Sequence, residues 1–277
     1  MNPNKRIIHF HPQEAVAGGA PVKSGADIPV RSVQSGIPAP TDQQIADQIK
    51  ALVESSKKII ITGHERPDGD CIGSEVALCS TLRALGHDVE IVNSDATPFK
   101  YQFVAEQFPA RVPGNDEHIP ADLLIVLDST DLSRLGRIKR EHFGAAKVIN
   151  IDHHLGNPHF GDVNWVDTNA SATGELLWRL ANCCGWNVPP AGLQALYVAI
   201  VTDTGQFSYS NTSTRILRMA ADLVERGVDP EAIWQKVYLN KSRTELELES
   251  RARASLLCRA EGRICCISLS NTDFTET

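Results

Sequence analysis

From residue 41 onward, short apolar runs alternate with segments whose apolar residues recur every three or four positions. The first such segment, "TDQQIADQIKALVESS", places Ile45, Ile49 and Leu52 on one helical face. Thr41 with Gln44 three residues later gives it a capping-box start. "KIIIT" then reads as a buried strand and "IGSEVALCSTLRALG" as a helix stopped by Gly86. Strand "DVEIVN", a helix near Phe99 to Phe108, strands "ADLLIVLD" and "KVINID", and helix "TGELLWRLANCCG" follow. Next come helix "AGLQALYVAIVTDTG", an extended "FSYSN", and helices "STRILRMAADLVERG" and "DPEAIWQKVYL". This alternation predicts an α/β fold, a mainly parallel sheet flanked by helices. Residues 1–40 are rich in Gly, Pro, Ser and Ala, hold no sustained period, and predict a disordered N-terminal extension.

In open α/β sheets, functional groups gather beyond the carboxyl ends of the strands. His64, Asp68 and Asp70 follow "KIIIT" in the stretch "GHERPDGDCIGS", and Asp128 ends "LLIVLD". Asp152, His153 and His154 end "VINIDHH", and Asp203 closes the apolar run "AIVTD". One strand-end aspartate is ordinarily just a helix cap; four segments delivering carboxylates and imidazoles to one sheet edge are a different matter. Such a cluster cannot be ionised and unpaired without large repulsion, and divalent cations relieve it. Oxygen donors with a minority of imidazole suit Mn²⁺ best, with Mg²⁺ or Co²⁺ as substitutes. The glycines and Pro67 of the first stretch read as a backbone cradle for the ions.

Composition narrows the classes. The 277 residues hold 27 Lys and Arg against 34 Asp and Glu, a formal charge of −7. That balance disfavours a coat for long double-stranded nucleic acid and leaves a short nucleotide substrate in a local site. No apolar run is long enough for a membrane span, and no apolar h-region follows the first basic residues, so neither membrane contact nor secretion is expected. Seven cysteines, among them the adjacent pairs Cys183–Cys184 and Cys265–Cys266, show no C-x-x-C spacing. They suit a reducing cytoplasm better than a disulfide framework or a zinc site.

In order, "GHERPDGDCIGS", "LLIVLDST", "VINIDHHLGN" and "AIVTDTGQFSYSNT" resemble the motifs of the DHH phosphoesterase superfamily, with spacing closest to its RecJ-like, nanoRNase/pAp-phosphatase branch. The resemblance runs from about Gln43 to the C-terminus and implies a manganese-dependent, two-metal hydrolase of phosphate esters. By motif position it implies that His64 and Asp68 hold one ion, that Asp70, His153 and Asp203 hold the other, and that Asp128 bridges them. It implies a catalytic His154 facing the scissile phosphate and an Asp152 that orients the histidines. Asn157 and Thr204 lie beside the motifs as candidate substrate contacts.

Family members carry a second, DHH-associated domain with a "GGGH"-type motif. Residues 241–277 look like its linker helix and first strands, and no such motif occurs in the chain. The expected organisation is an extension (1–40), a DHH domain (41–240), and a linker helix opening an incomplete second α/β domain (241–277), with "ICCISL" an unpaired edge strand. Ser208 stands where relatives often have a basic residue.

The expected substrate is a short oligoribonucleotide or 3′-phosphoadenosine 5′-phosphate. A cyclic dinucleotide phosphodiesterase is the enzymatic alternative, and a catalytically impaired nucleotide- or metal-binding module is the alternative from another class. Inorganic pyrophosphatase fits the "HERPDGD" opening less well. A homodimer is compatible with each reading. Cys71, Cys79, Trp165 and Trp178 read as packing residues, His87 as a turn residue, His9 and His11 as tail residues, and Arg251, Arg253 and Arg259 as a solvated helix face.

Overall fold

The computed structural model describes residues 6–9, 40–115 and 117–275. Its strands are β1 (Arg6–His9), β2 (Lys58–Thr62), β3 (Asp88–Ile91), β4 (Leu123–Leu127), β5 (Lys147–Asp152), β6 (Val163–Val166), β7 (Leu257–Arg259) and β8 (Ile264–Leu269). The helices are α1 (Asp42–Ser55), α2 (Gly69–Ala84), α3 (Gln102–Ala105), α4 (Thr173–Cys184), α5 (Pro190–Asp203), α6 (Thr214–Glu225), α7 (Pro230–Trp234), α8 (Arg243–Ala254) and α9 (Asn271–Thr275). The chain divides into two units: one spans Ala39–Leu239, and the other gathers the described residues outside it.

In the larger unit five parallel strands run in the order β3-β2-β4-β5-β6. The central strand β4 is apolar and buried at every position because both faces of the sheet are covered. Ile59, Ile61, Leu123, Ile125, Leu127, Ile149 and Ile151 point into a core shared with α1, α2, α4 and α5. Alternate residues Ile60, Leu124, Val126 and Val148 face a thinner layer built on Ile119, Leu135, Ile138 and Phe143. The capping box at Thr41 is present, and α1 buries Ala46, Ile49 and Val53.

Helices α2 and α5 lie against each other deep in the core, and glycines set how closely. A Cβ on Gly73 would stand 2.4 Å from the carbonyl oxygen of Ala195, and one on Gly69 would meet the Thr202 side chain. These two glycines therefore serve helix approach, which corrects their reading as an ion cradle.

Several expected elements differ. The helix near Phe99 to Phe108 is a 3-10 turn at Phe99–Tyr101 followed by the single turn of α3. Strand β6 was not anticipated; "VNWV" pairs with β5, Asp152 lying opposite Val166. The stretch "FSYSN" is not extended. Gly205, Gln206 and Phe207 all have left-handed φ angles of 53°, 60° and 61°, and the N–H groups of Ser208 and Tyr209 donate back to the Thr204 carbonyl. The chain thus coils tightly off the end of α5 instead of leaving it as a strand.

In the smaller unit β8 is the middle strand of an antiparallel β1-β8-β7 sheet, which corrects "ICCISL" as an unpaired edge. The β7–β8 hairpin closes through left-handed Ala260, Glu261 and Gly262, and Arg6–His9, with its β-branched Ile7–Ile8 pair, adds the third strand. That strand also limits the expected disorder of the first 40 residues; the remainder of 1–39 lies outside the described residues.

The α2–α5 contact gives a direct check. Gly73→Ala should lower stability by about 1–3 kcal/mol in urea denaturation, because backbone on α5 has to move. An unchanged midpoint and slope would contradict this account of the helix pair.

Candidate metal centre

Each strand end reaches the site by its own local route. Beyond β2 the chain turns into α2, whose N-cap is Asp68; one of its oxygens accepts from the N–H groups of Asp70 and Cys71 at 3.0 and 3.1 Å. Beyond β4, Asp128 adopts a left-handed φ of 54°, which Asp tolerates better than most residues, and its N–H donates to the Ile151 carbonyl. Its carboxylate accepts from the Thr173 hydroxyl at 2.9 Å. Asp70 faces the N-terminus of α4, where Thr173 and Gly174 N–H groups donate to it at 2.6 and 3.0 Å, and Ser74 adds a hydroxyl. A helix N-terminus is a favourable place for a buried carboxylate.

The imidazoles are held by their far nitrogens. His64 Nδ1 bonds the Glu65 carbonyl at 2.8 Å, which leaves Nε2 facing Asp128 at 3.5 Å and Asp68 at 3.8 Å. His153 Nδ1 bonds the Ala170 carbonyl at 3.3 Å, and its Nε2 lies 3.6 Å from Asp128 and 3.7 Å from both Asp70 and Asp203. That nitrogen is buried and has no hydrogen-bond partner. A buried nitrogen ringed by three carboxylates yet bonded to none has the chemistry of a metal ligand, and this observation tests the fit of a divalent cation most directly. Donor atoms of His64, Asp68 and Asp128 lie within 4.8 Å of one another, as do those of Asp70, His153 and Asp203, and those of Asp128, His153 and His154.

Electrostatics point the same way. Burial, reinforced by the charges of Asp128, Asp203 and Asp68, pushes the Asp70 carboxyl well above the usual carboxylate range. Burial also raises Asp203 to about 6, against the opposing pull of His153. At His64 burial favours the neutral ring, but Asp128 and Asp68 outweigh it and hold its pKa up to about 10. These raised values all run in the direction that offsets negative charge in the cluster, and a cation would offset it in the same way.

His154 is placed differently. Its Nδ1 bonds Asp152 at 2.8 Å, which raises its pKa, and its side chain is 40% exposed, the most open of the three histidines. Burial would raise Asp152, but the bonds from His154 and from the Asn157 amide outweigh it and keep its carboxyl below the usual range.

Two candidate substrate contacts do not fit that role. Thr204 is fully buried, its hydroxyl donating to the Ile200 carbonyl and accepting from the Phe207 N–H. Asn157 spends its amide N–H groups on Asp152, Asn150 and the Ser129 carbonyl, and its oxygen on the His159 N–H. It holds Asp152 in place. Sequence reading also missed Thr173, whose N–H and hydroxyl serve Asp70 and Asp128; its only signal was a Thr–Gly pair opening an apolar helix. It missed Asn93 and Asp95 just beyond β3, whose side chains accept from the N–H groups of Gly63 and Arg66 on the loop that carries His64.

Residues 58–200 match the family described as "DHH family, N-terminal domain", and the chain belongs to it. Over 184 residues it is 34% identical to the bifunctional oligoribonuclease and PAP phosphatase NrnA of Thermus thermophilus, covering 66% of this chain and 54% of that protein. The protein of the same name from Bacillus subtilis is 28% identical over 188 residues, covering 66% of this chain and 58% of that one. The chain therefore spans little more than half the length of these curated relatives. Among solved structures, an exopolyphosphatase-related protein from Bacteroides fragilis superposes with a TM-score of 0.73 at 25% identity, covering 78% of this chain and 66% of that one. No described helix is long and apolar enough to cross a membrane.

Greater exposure and the bond to Asp152 set His154 apart from His153, although both lie 3.6 Å from Asp128. Asp128→Ala, which removes a carboxylate common to two donor sets, should lower the bound Mn²⁺ measured by elemental analysis after dialysis; two tightly retained ions per chain would contradict its shared role. His153→Ala should deplete one ion, whereas His154→Ala should leave metal content intact, and equal losses in both would mean the division is wrong.

Proposed function

We propose that this chain carries the metal centre of a phosphoesterase that hydrolyses short oligoribonucleotides and 3′-phosphoadenosine 5′-phosphate. The observation that carries the reading is that Asp128 shares one donor set with His64 and Asp68 and lies 3.6 Å from His153 Nε2, which also faces Asp70 and Asp203, while His154 beside them is held by Asp152. The printed names of the two NrnA relatives support the substrate class. His64, Asp68 and Asp128 would hold one ion, and Asp70, His153, Asp203 and Asp128 the other. Carboxylate-rich donors with one imidazole in each set favour Mn²⁺, with Mg²⁺ or Co²⁺ as substitutes. Bound there, such ions supply Lewis acidity toward the phosphoryl oxygens and ease deprotonation of water.

The chain's own groups do the rest. Asp152, fixed by Asn157, takes the Nδ1–H of His154 and keeps that ring in one tautomer and orientation. The other ring nitrogen, Nε2, is then free to bond a phosphate oxygen, and the raised pKa of His154 favours the cation that suits a charged substrate. Thr173 and the α4 N-terminus keep Asp128 and Asp70 in register, so that the phosphate meets a preset arrangement. With a formal charge of −7, the protein draws a short anionic substrate through this local centre and not through its surface as a whole. A cytoplasmic location agrees with seven unpaired cysteines.

The test is turnover by chelator-treated chain with and without added Mn²⁺, on a diribonucleotide, on 3′-phosphoadenosine 5′-phosphate and on a cyclic dinucleotide. Hydrolysis of the first two, abolished by chelation and restored by Mn²⁺, is expected. His154→Ala should slow it by roughly 100- to 10,000-fold, the range of a lost proton-handling group. Hydrolysis of the cyclic dinucleotide alone would move the substrate assignment, and metal-independent turnover would remove the centre from the mechanism.

A further inference from the structure

Behind the His64 loop lies a buried polar relay with no part in the donor sets. Glu75, on the second turn of α2, is 1% exposed, and Asn93, just beyond β3, is equally hidden. The Asn93 amide donates to Glu75 at 2.8 Å, while its oxygen accepts the Gly63 N–H at 3.3 Å. Gly63 is the residue before His64, and it rests directly on this group. A Cβ there would stand 2.2 Å from the Cys71 sulfur and 2.8 Å from the Glu75 carboxyl.

A carboxyl in this position has no surface role, and the positive charge that acts on it is that of the His64 ring. Arg and Lys side chains are absent from its hydrogen bonds; its partners are an amide and, at 3.8 Å, the Cys71 thiol. Burial, partly offset by the Asn93 bond, raises its pKa to about 8. A buried carboxyl is costly unless it does something a hydrocarbon cannot. What it does here is fix the amide of Asn93, whose other end fixes the backbone one residue before a donor.

We propose that Glu75, acting through Asn93 and the Gly63 N–H, is a positioning residue that sets the place of His64 and so the affinity of the His64–Asp68–Asp128 donor set for its ion. The inference rests on the reading of that set as a metal subsite. Without the relay, the loop keeps its outer ties, the Arg66 N–H to Asp95 and the Glu65 N–H to the Arg134 carbonyl, but the backbone at Gly63 loses its inner one. Thus the loop should remain in place while its histidine aim loosens.

The experiment uses the full chain. Mn²⁺ is titrated calorimetrically into chelator-treated wild type, Glu75→Gln, Glu75→Leu and Asn93→Ala, and amide exchange at Gly63 is followed by NMR in the metal-free proteins. Glu75→Gln keeps the acceptor for Asn93 and should bind both ions as the wild type does. Glu75→Leu and Asn93→Ala should weaken one ion by roughly 10- to 100-fold, leave the other near its wild-type affinity, and expose the Gly63 amide to faster exchange. If Glu75→Leu fails to fold, Asn93→Ala breaks the same relay from the other end and carries the test. Wild-type affinities and unchanged Gly63 exchange in a folded relay variant would overturn the inference, as would equal weakening by Glu75→Gln. Failure of the wild type itself to bind Mn²⁺ would instead overturn the metal-centre reading, and this inference with it.

Discussion

Everything at the sheet's carboxyl edge answers to one constraint: several carboxylates are packed where water is scarce. Donor atoms of Asp70 and Asp203 lie within 4.8 Å of each other. Two full charges at that distance repel by about 3–4 kcal/mol at an effective dielectric constant of 20. Summed over the cluster, that repulsion rivals the whole stability of a typical domain. The protein has two remedies, protons or cations. The raised pKa values of Asp70, Asp203 and His64 run in the direction of the first, and the partnerless Nε2 of His153 fits the second. Protonation at every position would waste a constellation in which His64 and His153 both turn their free nitrogen inward.

The rest of the fold can be understood as what keeps such a cluster from flying apart. The Thr173 hydroxyl and N–H groups at the start of α4 reach Asp128 and Asp70, so a helix dipole offsets part of the charge. Asp128 accepts a left-handed backbone in order to turn its carboxylate across the site. Helix α2 carries Asp68 and Asp70 at one end, and it is pinned along its length to α5, which carries Asp203 at the end beside them. The close approach at Gly69 and Gly73 therefore sets more than core packing. It fixes the distance between donors on two separate helices.

Much of this was legible in the sequence because it is written in local patterns. Apolar runs gave four of the five parallel strands, and the Asp and His residues at their ends could be placed at one edge by topology alone. Strand β6 was missed because "VNWV" is short and carries an Asn in place of an unbroken apolar run. The turn after Asp203 was misread because "FSYSN" has the aromatic and Ser composition of a strand. Its left-handed coil depends on bonds back to Thr204, which no period reveals. What stayed hidden at the site was the support: Thr173, Asn93, Asp95 and Glu75 bond groups distant in sequence. Asn157 and Thr204 stood beside the motifs but are committed to internal hydrogen bonds, since adjacency in sequence does not say which way a side chain turns.

The central claim is that two cations share Asp128. Crystals grown with Mn²⁺ and measured at the manganese absorption edge would test it most directly. The account predicts two anomalous peaks about 3.5–4 Å apart, one against His64 and Asp68, the other against Asp70, His153 and Asp203, with Asp128 touching both. A single peak, or two that leave Asp128 uncoordinated, would contradict it.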